Sequence, residues 1–257
     1  MKIAENRYGK SGVRVARIVR RKDHHDFYEM AVSIALEGDF DSSYREGDNS
    51  LVLPTDTMKN TVYALAEDPA VEEPESFAIL LARHFLGHLR HVTSVKIDIY
   101  AHLWCRQDPF SFTAGPPHRR IAKIKATREE MSIESGVAGY LLLKTTGSAF
   151  EGFLRDQHTT LPEAWDRLMA TSLDAIWSGA ANWDEVVKLI ALTFAEHESK
   201  SVQHTLYAIG EAVLAQFRNI QRIRLTMPNK HYLPTKHADV FMPTDEPHGL
   251  IEAVLTR

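Results

Sequence analysis

Apolar and polar positions alternate with a period of two across Val13, Val15, Ile18 and Val19, set among Arg14, Arg17, Arg20, Arg21 and Lys22, and the rhythm returns over residues 27–36. Successive side chains on a strand face opposite ways, so both segments are expected as strands with one buried face. A polar, glycine-containing connection over residues 37–50 leads into residues 51–66. The period then changes. Phe77, Leu80, Leu81, His84, Phe85 and Leu89 recur at helical spacing behind Pro74 and Glu75, which predicts a helix starting near Glu75 and running toward His91. Alternation resumes over residues 95–104, 121–126 and 139–144, three further expected strands.

The second half repeats this order. A strand-like stretch over residues 165–176 precedes two helical patterns, 184–197 and 202–217, and strands are expected at 220–227 and 239–242. Strands, helices, strands, written twice, imply an α+β fold with antiparallel sheets and helices on one face rather than a βαβ array. The 257 residues then fall into two domains, expected at 1–137 and 138–257, alike in architecture without a literal repeat.

Composition narrows the function classes. A hydrophobic fraction of 44% and a charged fraction of 25% are those of an ordinary globular chain. A net charge of -4 argues against a nucleic-acid binder. The one basic run, His118, Arg119, Arg120, Lys123, Lys125 and Arg128 around Ile121 and Ile124, reads as the wet face of a strand. Cys105 stands alone, so an intrachain disulfide is impossible. No apolar run reaches the roughly 20 residues that span a bilayer, and Met1 to Asn6 lacks a signal-type apolar segment. The Leu255-Thr256-Arg257 end lacks a peroxisomal address. A bacterial cytoplasm is the expected location.

Two stretches depart from the packing pattern. Leu53 to Tyr63 reads LPTDTMKNTVY, and Ser148 to Leu161 reads SAFEGFLRDQHTTL. The first sets Thr55, Asp56, Thr57, Lys59, Asn60 and Thr61 between apolar flanks, which marks a site more than a scaffold. Both resemble signatures of the urate oxidases, oxidoreductases of purine catabolism that oxidise uric acid with molecular oxygen and no cofactor. Further matches follow in order: Tyr8-Gly9-Lys10, Trp165-Asp166-Arg167, Ser201-Val202-Gln203, the run from Met227 to Tyr232, and Gly249 to Glu252. Separated matches in the right order are far more specific than any one alone. Residues 108–118, DPFSFTAGPPH, fit the family's loop pattern poorly.

The resemblance implies two tandem tunnelling-fold (T-fold) domains per chain and a homotetrameric tunnel. It also implies a substrate pocket of Phe150, Leu161, Arg167, Val202, Gln203 and Asn229, with Thr55 and Asp56 contributed by a neighbouring chain that also carries Lys10. Physical chemistry suits these roles. An aromatic face such as Phe150 stacks on a flat heterocycle. The planar guanidinium of Arg167 pairs with a carbonyl beside a ring nitrogen and neutralises an anion. Gln203 and the Val202 backbone read ring edges with donors and acceptors. The family's proton relay falls on Lys10, Thr55 and His231, with Asn229 and Thr55 holding oxygen or water. A lysine serves as a base only when burial or a neighbouring cation lowers its pKa, and His231 is the candidate neighbour.

Two rival readings come from other classes. His84, His88 and His91 at spacings of four and three would line one helical face, as zinc ligands do, so a zinc-dependent tunnelling-fold enzyme acting on a pterin or purine is one alternative. His24 and His25 beside Asp23 and Asp26 read instead as a wet turn, because neighbours on a strand point apart. A purine-binding oligomer without turnover is the other rival, and it would need neither Lys10 nor His231.

Overall fold

The alternation of the first segments is realised as β1 (Tyr8–Arg20) and β2 (His25–Gly38), antiparallel partners in the computed structural model, which describes residues 3–257. Met1 and Lys2, part of the segment expected to lack a signal sequence, lie outside the described residues. The chain divides after Ser135 into two units. The eight strands of the sheet follow one another in chain order.

In the first unit, β1 and β2 are followed by the short helix α1 (Asp41–Arg45), α2 (Thr55–Leu65), a 3-10 turn (Pro69–Glu72) and α3 (Pro74–His88). Strands β3 (Val92–Asp108) and β4 (Ser111–Ala126) complete it, each antiparallel to its neighbour. One sheet face supplies Val13, Val15, Met30, Val32, Ile34, Leu36, Ile97, Ile99 and Ile124. The helices answer with Met58 and Val62 from α2 and Phe77, Leu81 and Phe85 from α3, all essentially inaccessible to water. Each such side chain contributes about 1.5–3 kcal/mol by burial. At the far end of α3, the Arg128 guanidinium donates to the carbonyls of Leu86, Leu89, Arg90 and Val92, closing the open end of the helix.

Strand β5 (Met131–Lys144) contains the division. The second unit continues with β6 (Met169–Ser178), α4 (Trp183–Glu196), α5 (Val202–Gln216), β7 (Arg222–Pro234) and β8 (Phe241–Thr256). Its core joins Leu173, Ala175, Trp177, Ile223 and Leu225 from the strands to Ile190, Phe194, Leu206, Ile209 and Val213 from the helices. The order strands, helices, strands thus appears in both units, an α+β fold whose β1–β2, β2–β3, β3–β4, β6–β7 and β7–β8 pairs are antiparallel.

Several boundaries differ from the sequence expectation. Residues 108–118 do not form a loop: the chain turns at Pro109 and Phe110, and Ser111 onward is already strand β4, paired through Cys105 with Thr113 and Trp104 with Ala114. Gly115, Pro116 and Pro117 suppress the strand signal there, and they fall where the β3–β4 register shifts between the pairs His102–Arg119 and Trp104–Ala114, an irregularity that tolerates them. Residues 165–168 bend without forming strand, and β6 begins at Met169. The last strand is much longer than 239–242 and takes in Gly249 to Glu252. Helix α3 stops at His88, so His91 falls beyond it and packs its ring edge-on against Phe40, 5.3 Å between centroids. The three histidines therefore share no helical face.

Candidate functional site

The flagged residues of the first unit gather where β1 begins and α2 begins. Pro54 precedes α2 with φ -55° and ψ 137°, and Met58 and Val62, one helical turn apart, anchor the helix in the core. The polar residues between them are thereby turned away from the core. Thr55 is half-buried and Asp56 exposed in the first turn, where helix N–H groups lack internal partners and favour negative charge. Lys59 Nζ and Asn60 Nδ2 donate to the Asp56 carboxylate, and hydrogen bonding to Lys59 holds its pKa below the usual range, with its charge, Asn60 and more distant Lys10 adding to the effect.

Lys10 stands on β1 opposite Ile34 of β2 and is half-buried. Among the described residues no hydrogen bond joins Lys10 to Thr55. A tie two residues upstream of each brings their segments together: the Leu53 N–H donates to the Tyr8 hydroxyl at 2.9 Å. The Tyr8 ring meets Phe40 edge-on at 4.7 Å, and burial raises its pKa while the Leu53 N–H acts the other way. Between Tyr8 and Lys10, a side chain at Gly9 would place its first carbon 1.8 Å from the Ile34 carbonyl oxygen. A bulge follows, where Gly12 takes φ +66° and its N–H donates to Ser33 Oγ. The matched Tyr8-Gly9-Lys10 signalled this spot, but periodicity gave no hint that Tyr8 reaches Leu53.

The second unit carries the remaining flagged residues. Phe150 and Ala164 exchange backbone hydrogen bonds of 2.6 and 2.9 Å, which close residues 151–163 into a loop. The Arg167 N–H donates to the Ser148 carbonyl at 2.8 Å, and Asp166 accepts from Thr146 Oγ1 at 2.6 Å and the Ser148 N–H at 3.3 Å. These bonds, chiefly that of Thr146, hold the Asp166 carboxyl below its ordinary pKa. The result is a guanidinium over an aromatic ring: Arg167 Cζ lies 5.3 Å from the Phe150 centroid. Phe153 stacks on Phe150 at 4.9 Å and 12°. Burial pushes the Arg167 pKa down, its Nε is buried without a hydrogen-bond partner, and among the described residues no carboxylate pairs with it. Leu161, by contrast, is about half exposed (51%) at the end of the loop.

Val202 and Gln203 open α5 behind the N-cap Ser201, whose Oγ accepts the His204 N–H. Their own N–H groups belong to the unpaired first turn, and Gln203 exposes its amide. A parallel bridge between Ser148 and Ser199 fastens this entry to the Phe150 loop. Asn229 and His231, both half-buried, lie on β7, Asn229 opposite Thr171 of β6 and Gly249 of β8, with a register shift of the β7–β8 pairing between them. Thr171 is fully buried with an unpartnered hydroxyl, a polar group that residue-level reading did not flag. Together the unit offers a cation, an aromatic face, helix N–H donors and an amide, which suits a flat anionic ring.

The rival histidines behave differently. The rings of His84 and His88 stack at 4.3 Å, and His88 Nδ1 contacts its own helix at the His84 carbonyl. Burial, then His88, lowers the His84 pKa. Among the described residues no group of three or more His, Cys, Asp or Glu side chains is arranged to hold a metal ion. Nor is any described helix long and apolar enough to cross a membrane.

The family model described as Uricase matches residues 6–129 and 133–252. The uricase of Aspergillus flavus is 35% identical over 290 residues, covering 98% of this chain and 95% of the relative, and that of Arthrobacter globiformis is 34% identical, covering 99% and 90%. The crystal structure of the Arthrobacter globiformis uricase superposes with a TM-score of 0.95 at 34% identity, over 100% of this chain and 95% of that one. The fold is also that of the Bacillus sp. TB-90 urate oxidase, at 22% identity and a TM-score of 0.86.

Proposed function

The chain belongs to the uricase family, and on that premise we propose how its residues oxidise urate. Its activity is that of an oxidoreductase acting on urate. The observation that carries the assignment of the pocket is Arg167, a partly buried guanidinium with no carboxylate partner among the described residues, set over the Phe150 ring. A buried charge is costly unless paired, so this position is built to receive an anion, and the aromatic face selects a flat one. Urate is both.

In this reading Phe150 is the stacking floor and Arg167 the clamp on a carbonyl and its neighbouring ring nitrogen. Gln203 and the Val202 N–H read the opposite edge, and Leu161 covers the ring from the loop. A purine with the wrong edge pattern would leave buried donors unpaired at about 1–3 kcal/mol each. Lys10 and Thr55 take the proton from the bound anion, and His231 completes the relay. Urate then gives up two electrons to oxygen, water adds a hydroxyl, and the products are 5-hydroxyisourate and hydrogen peroxide. Asn229 and the Thr55 hydroxyl hold oxygen, then water, beside the ring. Asp56 orients the α2 turn through Lys59 and Asn60 and presents its main chain to the purine. The substrate itself is the reductant, so the reaction needs no cofactor.

Lys10, Thr55 and Asp56 belong to the first unit and the clamp residues to the second. We assign the complete site to two chains, one supplying each set, within a homotetramer of tandem T-fold domains in the bacterial cytoplasm. A monomer is then inactive. The deciding experiment follows the ultraviolet absorbance of urate together with peroxide release, with and without a chelator. One peroxide per urate, unaffected by chelation, supports the reading. Activity abolished by chelation and restored by zinc would overturn the cofactor-free mechanism.

A further inference from the structure

The first turn of α5 carries two of the proposed urate-binding groups, so whatever fixes that turn fixes the ring edge they read. Ser201 Oγ accepts the His204 N–H at 3.1 Å. In return the His204 side chain reaches back, and its Nδ1 accepts the Lys200 N–H at 3.3 Å. A hydroxyl at the helix cap and an acceptor three residues later, each satisfying a backbone N–H near the other, form the reciprocal box usually made by Ser or Thr with Glu or Gln. Here an imidazole takes the place of the acid or amide, and it bonds one residue further upstream.

The surrounding contacts aim this imidazole. The His197 ring lies 4.3 Å from that of His204 at 68°, and Lys144 Nζ donates to the His197 carbonyl at 2.5 Å, tying α4's end to β5. Ser199 is pinned by its N–H to the Gly147 carbonyl (2.9 Å), by its carbonyl to the Ala149 N–H (2.8 Å) and by its Oγ to the Ser201 carbonyl (2.9 Å). Lys200 is the joint between this pinned serine and the helix cap, and His204 is what holds its N–H.

We propose that His204 is a positioning residue for the substrate-binding turn: its Nδ1 acceptor holds Lys200, and through it sets Val202 and Gln203. The proposal rests on the urate-binding reading above. It is tested with His204→Leu, which removes the acceptor, and His204→Gln, which restores one on a side chain that commonly fills the same box. His204→Leu is expected to raise KM for urate roughly fivefold with kcat nearly unchanged, the pattern of lost ground-state positioning. Hydrogen exchange at the Lys200 amide should accelerate about tenfold, and His204→Gln should return both toward wild type. Unchanged exchange in His204→Leu overturns the role, as does a His204→Gln variant as impaired as the leucine, since ring packing would then be what matters. If the wild-type protein fails to consume urate, the functional reading falls, while Lys200 exchange still decides the part played by His204.

Discussion

The Tyr8 hydroxyl accepts the Leu53 N–H at 2.9 Å, and each partner lies two residues before a proposed member of the proton relay, Lys10 and Thr55. One bond between a strand and a helix entry therefore registers two side chains that do not themselves touch through a hydrogen bond. Tyr8→Phe keeps the ring against Phe40 but removes the acceptor. We expect a loss of about 1 kcal/mol in stability, read by thermal or denaturant unfolding, and a fall in kcat larger than any change in KM. An unchanged kcat would detach Tyr8 from the relay.

Arg167→Ala should weaken urate binding and turnover together, because the clamp acts on ground and transition states alike. Arg167→Lys should recover little, since an ammonium cannot present the paired planar donors. Steady-state kinetics of the two variants decide it. A lysine variant with wild-type KM would show that charge alone suffices.

Lys10→Met should leave urate binding nearly intact and reduce kcat roughly a hundredfold, within the range of general acid-base groups. Mixed oligomers of Lys10→Met and Arg167→Ala should regain part of the activity, because some sites would pair an intact Lys10 with an intact Arg167. Co-expression followed by assay of verified hybrids measures this. Hybrids as dead as their parents would mean that each site is built within one chain.

Stability should fall on mild acidification, before the carboxylates titrate. Burial lowers the pKa of His84, assisted by His88, of His118, and of His197, assisted by His204 and Lys144. A histidine that prefers neutrality in the folded state binds protons less readily there than in the unfolded chain. Its contribution is whole above the ordinary value of 6.5 and is lost as pH falls through the lower folded values. Thermal midpoints should thus decline from about pH 7 to about pH 5. His84→Gln should flatten part of that slope, and a slope unchanged by it would remove His84 from the account.

Strands with one buried face were legible because Val13, Val15, Met30, Val32, Ile34 and Leu36 must alternate to reach a common core. Helix α3 was legible for the same reason at a different period. Helix α2 was not, since Met58 and Val62 are its only fully buried positions and the other residues answer to the site. The outer parts of β4 and β8 were missed because they extend beyond the core, where exposure on both faces erases alternation. For the site, motif resemblance located the residues, but the lack of a carboxylate partner for Arg167 among the described residues and the box closed by His204 needed three dimensions.

Two glycines close together on β1 differ in what they permit. At Gly12 the constraint is conformational: φ is +66° and the space around it is open, so asparagine or aspartate, which tolerate that region, would be accepted at modest cost. At Gly9 the constraint is volume, because the Ile34 carbonyl occupies the place of any first side-chain carbon. A randomised library spanning Tyr8 to Gly12 would therefore return one allele at position 9 and several at position 12. Mutational tolerance here is read from which atom stands behind the backbone, and proximity to Lys10 does not predict it.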